Sequence, residues 1–262
     1  MASAAPVEKI DIGRVITRTF EAAWGNFGSF FIASALLAGV PAFFWQYWMM
    51  AGLESALDDP AEIMRWSYWG PFFVGLLVMM VAWALLQGVL VRSTVFSLSG
   101  RAPDVRQSVL VALRLILPII AVSIVVTVLF ALGLICLIVP GLMIYCAFIV
   151  AVPVLVEERG GIFASIERSR DLTRGSRKRI FVIVFVFWVL SFMLSSALGA
   201  FNGLSTMGDY SALPNPILAG LVAAVSSALS SVIVAVSISA LYVELRNVKE
   251  GASTNDLAAV FE

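Results

Sequence analysis

The stretch LILPIIAVSIVVTVLFALGLICLIVPGLMIYCAFIVAVPVLV, residues 115–156, contains 42 consecutive residues without a charged side chain. A membrane-spanning helix needs about 20 apolar residues, and a single helix of this length would reach roughly 60 Å, twice the hydrocarbon thickness. The stretch must therefore fold back. We expect the reversal at Pro140-Gly141, because proline removes a helix donor and glycine permits a reversal. Pro118 and Pro153 predict kinks in the two resulting spans.

Four more uncharged runs accompany this stretch, and each is long enough for one span. They are residues 22–53, 66–91, 180–208 and 210–243. The composition agrees, because 61% of the residues are hydrophobic and the mean hydropathy is +0.99. We therefore predict an all-α polytopic membrane protein with six spans in a single domain, residues 1–262. The predicted spans are 28–52, 70–91, 115–137, 140–157, 180–201 and 217–243, followed by a cytoplasmic tail at 244–262.

The basic residues predict the orientation in the membrane. Sixteen of the seventeen Lys and Arg lie in residues 1–27, 92–114, 157–179 and 244–262, and only Arg65 lies in a connection on the other side. The positive-inside rule then puts both termini in the cytoplasm. Residues 1–21 lack the continuous apolar core of a cleavable signal, so the first span is expected to direct insertion itself. The formal net charge of zero indicates no nucleic-acid partner.

Short amphipathic stretches precede the first, third and fifth spans, and we expect them to form interfacial helices on the cytoplasmic side. They are Ile10–Trp24, Asp104–Arg114 and Gly161–Arg177. The first and third align at a constant offset of 150, which matches Ile12 with Ile162, Arg18 with Arg168 and Gly25 with Gly175. This pattern indicates three copies of a unit made of an interfacial helix and two spans. The alternative interpretation is that the matches reflect only the residues that commonly separate the spans of a membrane protein.

The residue inventory argues against an enzyme. The chain has no histidine, so imidazole-based zinc sites, nucleophile activation and proton relays are excluded. No Asp or Glu occurs in a predicted span except Glu157, the last residue of the fourth, whereas intramembrane chemistry normally needs an ionisable residue at depth. We predict no metal and no cofactor. An enzyme would need cytoplasmic carboxylates, such as Glu157 and Glu158, to converge on a cleft, and Cys136 and Cys146 are interpreted as packing residues.

The densest polar segment is residues 157–179, with seven basic and four acidic side chains. One interpretation is a surface that binds anionic lipid headgroups or a membrane partner. The other is that these charges only set the topology and form pairs along one helix, such as Glu167–Arg170 and Asp171–Arg174. The candidate binding residues are Arg168, Arg170, Arg174, Arg177, Lys178 and Arg179. Structural roles are expected for Pro140, Gly141, Glu157, Glu158 and Gly175.

Three sequence strings carry a family resemblance. They are PGL at 140–142, VPVLVEE at 152–158 and ASIERSRDLTRG at 164–175, and the last contains the most specific pattern, Ser-x-x-Leu-Thr-x-Gly. They resemble the membrane domain of the bacterial glycerophosphoryl diester phosphodiesterase membrane-domain family, as does the closing segment 242–261. The catalytic domain found in some members uses histidines and metal-binding carboxylates. The resemblance therefore implies the membrane module without the enzyme, in the cytoplasmic (inner) membrane of a bacterium.

Two functional hypotheses follow. The first is a non-catalytic membrane protein that engages lipid, or a membrane-protein partner, through its basic cytoplasmic rim. The second is a transporter or channel for a lipid-like or small amphipathic substrate, with Gln87, Ser227 and Ser230 as candidate lining residues. Small residues of the last span would also allow close helix packing or association between copies of the chain.

Overall fold

The computed structural model describes residues 10–58, 66–100, 105–204 and 215–261, and every regular element in these ranges is a helix. The helices are α1 (Ile12–Gly25), α2 (Phe27–Ser34), a π-helix (Ala35–Gly39), α3 (Val40–Asp58), α4 (Trp66–Leu98), α5 (Val105–Cys136), α6 (Ile138–Phe148), α7 (Ala151–Glu158), α8 (Ile162–Thr173), α9 (Arg177–Leu204) and α10 (Pro216–Phe261). The elements α2, the π-helix and α3 follow one another without a break and together form the first span.

Six segments are long and apolar enough to cross a membrane, which confirms the predicted all-α polytopic architecture. They are Phe27–Leu53, Trp69–Leu98, Arg106–Cys136, Ile138–Glu158, Arg177–Ala200 and Pro216–Gly251. Each predicted span falls inside one of these segments to within one residue. Length and uncharged composition were therefore sufficient to find the spans.

Two of the three expected amphipathic helices are separate elements. Helix α1 begins after Asp11, whose Oδ1 accepts hydrogen bonds from the backbone N–H groups of Gly13 (2.9 Å) and Arg14 (3.3 Å). Helix α8 lies between turns on both sides. The expected middle helix, residues 104–114, is not separate, because α5 runs unbroken from Val105 to Cys136. No glycine or proline lies between residues 105 and 117, so nothing ends the helix before the span begins. The threefold repeat stays a prediction.

The reversal between the third and fourth spans comes earlier than expected. The chain breaks at Leu137, whose backbone is extended (φ −172°, ψ 152°), and α6 begins at the next residue. Pro140 lies in the first turn of α6, where its missing N–H costs no helical hydrogen bond. Gly141 has a packing role instead of a turn role, because a Cβ there would meet the backbone N of Leu134 at 2.9 Å. The glycine lets α5 and α6 pack closely as an antiparallel hairpin.

The two prolines that predicted kinks behave differently. The fourth span is divided into α6 and α7 by a turn at Ile149–Val150, and Pro153 follows in the first turn of α7. Proline at 153 cannot donate to the carbonyl of Ile149 and clashes with it, so the helix breaks there. Pro118 lies inside α5 without interrupting it. A membrane helix tolerates proline where neighbouring groups satisfy the freed carbonyl.

Helix α10 is the central element, and it packs against α1, the first span, α4 and α9. It begins at a cap in which Asn215 Oδ1 accepts from the N–H groups of Ile217 (2.9 Å) and Leu218 (3.3 Å). Small residues permit its close contacts, since a Cβ on Gly220 would meet the Phe43 ring at 2.8 Å. Helix α10 continues without a break to Phe261, so it includes residues 244–261 of the predicted cytoplasmic tail.

Candidate functional site

The basic segment 157–179 folds into the end of α7, all of α8 and the start of α9. Tight turns separate these helices, with Gly161 at φ +90° and Gly175 at φ +87°. Positive φ is strained for residues that carry a Cβ, so glycine is required at Gly175 for its backbone conformation. Nothing lies within 4 Å of a Cβ built at this position. The expected structural role of Gly175 is therefore that of a turn between α8 and α9.

The turn between α8 and α9 helps to enclose a cavity of about 870 Å³, which we call the basic cavity. Five basic and two acidic side chains line it, together with one methionine and the turn residues. The lining residues are Met143, Glu167, Arg170, Asp171, Arg174, Gly175, Ser176, Arg177, Lys178 and Arg179. The amino end of α9 also points its helix dipole toward this region, which favours an anion there. The basic cavity thus combines an excess of positive charge with a helix N-terminus.

Four of its cations have no ion-pair partner within the described ranges: Arg170, Arg174, Arg177 and Lys178. The expected pairs Glu167–Arg170 and Asp171–Arg174 are therefore absent from the part of the chain that the structure describes. If those pairs had formed, acidic neighbours would neutralise the cations, and the charges of the segment would serve only to set the orientation in the membrane. Without these pairs, the cations are available to an external anion.

Arg177 is the least satisfied of these residues. Its Nε is buried and has no hydrogen-bond partner among the described residues. A buried donor without an acceptor costs about 1–3 kcal/mol, and more when the group is charged. The planar guanidinium also matches phosphate and carboxylate with two parallel N–H donors. Arg177 therefore lines the basic cavity and also carries a buried donor without a partner in the described ranges.

Two of the six predicted binding residues are engaged within the protein. Arg168 does not line the basic cavity and pairs with Glu158 (Nε–Oε2 3.2 Å) and Glu250. Glu158 also accepts a hydrogen bond from the Tyr242 hydroxyl at 3.0 Å, so this network ties α7 and α8 to α10. Arg179 lines the basic cavity, but its Nη1 donates to the backbone oxygen of Ile10 at 2.6 Å. The structure thus separates the predicted set into four available and two engaged cations.

The expected pair Glu157 and Glu158 does not act as a unit. Glu158 belongs to the network with Arg168, whereas Glu157 Oε1 is buried without a hydrogen-bond partner in the described ranges. The described residues contain no group of three or more His, Cys, Asp or Glu side chains that could hold a metal ion. Cys136 is exposed and Cys146 is buried, and both are free thiols.

Two apolar grooves flank α6 and share wall residues with the basic cavity. The first, of about 420 Å³, is lined by Val139, Pro140, Met143, Ile144, Ala147, Phe148, Arg170 and Arg177. The second, of about 340 Å³, is lined by Val139, Leu142, Met143, Cys146, Arg177, Lys178 and Phe181. Met143 and Arg177 line all three spaces. The charged space and the two apolar spaces are therefore neighbours that share these two side chains.

The position of α8 against α6 is fixed by hydrogen bonds. Ser169 Oγ and Thr173 Oγ1 both donate to the backbone oxygen of Ala147, at 3.0 and 3.1 Å. The last carbonyls of a helix have no intrahelical donor, and α6 ends at Phe148, so this oxygen is available. The broken fourth span thereby anchors the helix that carries the basic residues.

Sequence reasoning missed one polar contact that holds this end of the protein together. Glu244 is fully buried in α10 and pairs with Arg14 (3.1 Å) and Arg18 (2.8 Å) of α1. A buried carboxylate needs such cations to offset its desolvation. The amphipathic pattern of α1 predicted that its arginines face away from the apolar side, but it carried no signal for this distant partner.

Of the three residues proposed for a transport path, Ser227 and Ser230 are half-buried and only Gln87 is buried. Gln87 is buried at 5% exposure. The Ser230 hydroxyl lies 3.4 Å from that of Ser195, which also accepts from Ser226 at 3.1 Å. These serines hydrogen-bond between α9 and α10, a common use of small polar residues in membrane helices. Transport stays a prediction.

Comparison of the chain with protein-family models, curated proteins and solved structures found no match. The resemblance to the phosphodiesterase membrane-domain family therefore stays a prediction.

Proposed function

We propose that this chain is a non-catalytic integral membrane protein of the bacterial inner membrane that binds anionic lipid in the basic cavity. The orientation in this proposal follows from the basic segments, which the positive-inside rule assigns to the cytoplasm together with both termini. The lipid headgroup is then bound at the cytoplasmic face.

The observation that carries the proposal is the unsatisfied charge of the cavity. Four cations without ion-pair partners in the described ranges surround a space of about 870 Å³, and the buried Nε of Arg177 has no acceptor there. Near an anionic membrane surface each basic residue contributes about 1 kcal/mol to binding. A headgroup phosphate supplies several acceptor oxygens and two-donor geometry for a guanidinium.

The test is native mass spectrometry of the purified full chain titrated with phosphatidylglycerol or with the zwitterionic phosphatidylcholine. We expect retention of the anionic lipid and little of the zwitterionic one. The variant Arg177→Gln removes a charge-assisted contact worth about 1.5–3 kcal/mol, so its affinity should fall by roughly 10- to 150-fold.

The matched control is Arg106→Gln. Arg106 is exposed at the start of α5 and does not line the basic cavity, yet its loss changes the net charge equally. Equal retention of both lipids, or equal effects of the two variants, would refute a specific anionic-lipid site. A protein partner on the same surface would instead show lipid retention that is indifferent to Arg177.

A further inference from the structure

The two apolar grooves specify the ligand class beyond its negative charge. A free anion such as phosphate needs only the basic cavity, and it would leave both grooves unused. Each groove has the size of a small-molecule site, within about 300–1,000 Å³. Their walls are almost entirely apolar, apart from the cations that they share with the basic cavity. The site therefore has one charged part and two apolar parts.

The apolar parts lie where acyl chains of the bilayer can enter them. Helix α6 is part of a membrane span, and the side chains of Val139 and Met143 are 67% and 48% exposed. The opposite wall of one groove is Phe181, on the first turns of the fifth span. A chain in either groove stays in contact with the hydrocarbon layer, so entry does not require it to cross water.

Resting on the function proposed above, we infer that the ligand is a two-chain anionic glycerophospholipid of the cytoplasmic leaflet. Its phosphate contacts Arg177, its glycerol lies beside Met143, and one acyl chain occupies each groove flanking α6. The complementarity of charge supports this arrangement, and so does the fact that Met143 and Arg177 line all three spaces.

The experiment compares three probes on the purified full chain: diacyl phosphatidylglycerol, its single-chain lyso form, and inorganic phosphate. We expect diacyl phosphatidylglycerol to bind more tightly than the lyso form, and inorganic phosphate to bind weakest. Lyso binding equal to diacyl binding would overturn the two-chain inference. Phosphate binding as tight as that of the diacyl lipid would make the cavity a free-anion site.

Groove variants separate this inference from the proposed function. Val139 lines both grooves and not the basic cavity, so Val139→Trp should fill the grooves and weaken diacyl binding by about tenfold. Its neighbour Ile138 is equally exposed, at 69%, and lines none of these three spaces, so Ile138→Trp is the matched control. Both variants keep the cations intact. Thermal unfolding of each variant checks that it is folded.

The outcomes are distinguishable. A loss of diacyl binding in Val139→Trp, with inorganic phosphate binding unchanged and Ile138→Trp behaving as wild type, supports the inference. If Arg177→Gln weakens binding and Val139→Trp does not, the two-chain inference fails while the anionic-lipid function stands. If neither variant matters, both fail.

Discussion

The burial of the Glu244 carboxylate predicts that replacing Glu244 restores stability to a variant that has already lost its two arginine partners. Glu244 is fully buried, whereas its partners Arg14 and Arg18 keep side-chain exposures of 43% and 32%. The cost of breaking this contact therefore depends on which side is removed. Replacing both arginines by glutamine leaves a charged carboxylate without these partners in an apolar environment. Replacing Glu244 by glutamine leaves two arginines that still contact water.

The magnitudes follow from this asymmetry. Removing the partners of a buried charge costs about 3–5 kcal/mol, so Arg14→Gln/Arg18→Gln should lower the free energy of unfolding by that amount. Glu244→Gln loses the charge-assisted hydrogen bond from Arg18 and the ion pair with Arg14, but also the burial cost of the charge, and about 1 kcal/mol is expected. The triple variant should then be more stable than the double variant, because Glu244→Gln removes the orphaned charge.

The assay is equilibrium unfolding of the purified chain in mixed micelles, titrated with sodium dodecyl sulfate and followed by circular dichroism. The control is Arg106→Gln/Arg114→Gln, which removes two exposed arginines of α5 and should change stability little. A triple variant less stable than the double variant would refute the reasoning. It would mean that Glu244 still gains more from other contacts than its burial costs.

Three further predictions concern the turns and the helix contacts, and thermal unfolding measures each of them. Gly175→Ala should destabilise the protein by about 1 kcal/mol because the φ of Gly175 is +87°. The control Gly25→Ala should be neutral or stabilising, because Gly25 lies in a helix and nothing is within 4 Å of a Cβ built there. Equal effects of the two substitutions would contradict the role of the positive φ. Gly141→Ala should cost about 1–3 kcal/mol because its Cβ would meet backbone of α5, and an unchanged midpoint would show that the hairpin is loose. The pair Ser169→Ala/Thr173→Val should cost more than twice either single change, since either hydroxyl alone still satisfies the shared carbonyl; strict additivity would argue against this shared role.

The spans were predictable because their signal is local. Each consists of enough consecutive apolar residues to cross the bilayer, and the charges between them are read directly from the chain. The separate helix α8 was also predictable, since Gly161 and Gly175 mark its two ends. By contrast, the break at Leu137 was not, because an apolar residue inside an apolar run carries no turn signal. The expected turn at Pro140-Gly141 was three residues too late for that reason.

The site was predictable only in part, because contacts between distant residues decide which of its cations stay unpaired. The sequence identified six basic residues, but nothing local distinguishes Arg168 from Arg170. The difference arises from Glu250, 82 positions away, which pairs with Arg168. Met143 was not predicted to line the site, since a methionine in an apolar span normally only packs. Its place beside the cavity follows from the packing of α6 against α8 and α9, which are distant in the chain.

The most direct test of the central claim is photo-crosslinking of the full chain in bilayers that contain a photoactivatable anionic phospholipid. Mass spectrometry of the peptides then gives the residues that contact the lipid. The account predicts crosslinks concentrated in residues 139–148 and 174–181, reduced by Arg177→Gln and not competed by excess phosphatidylcholine. Crosslinks spread evenly over the exposed apolar helices, or unchanged in Arg177→Gln, would contradict it.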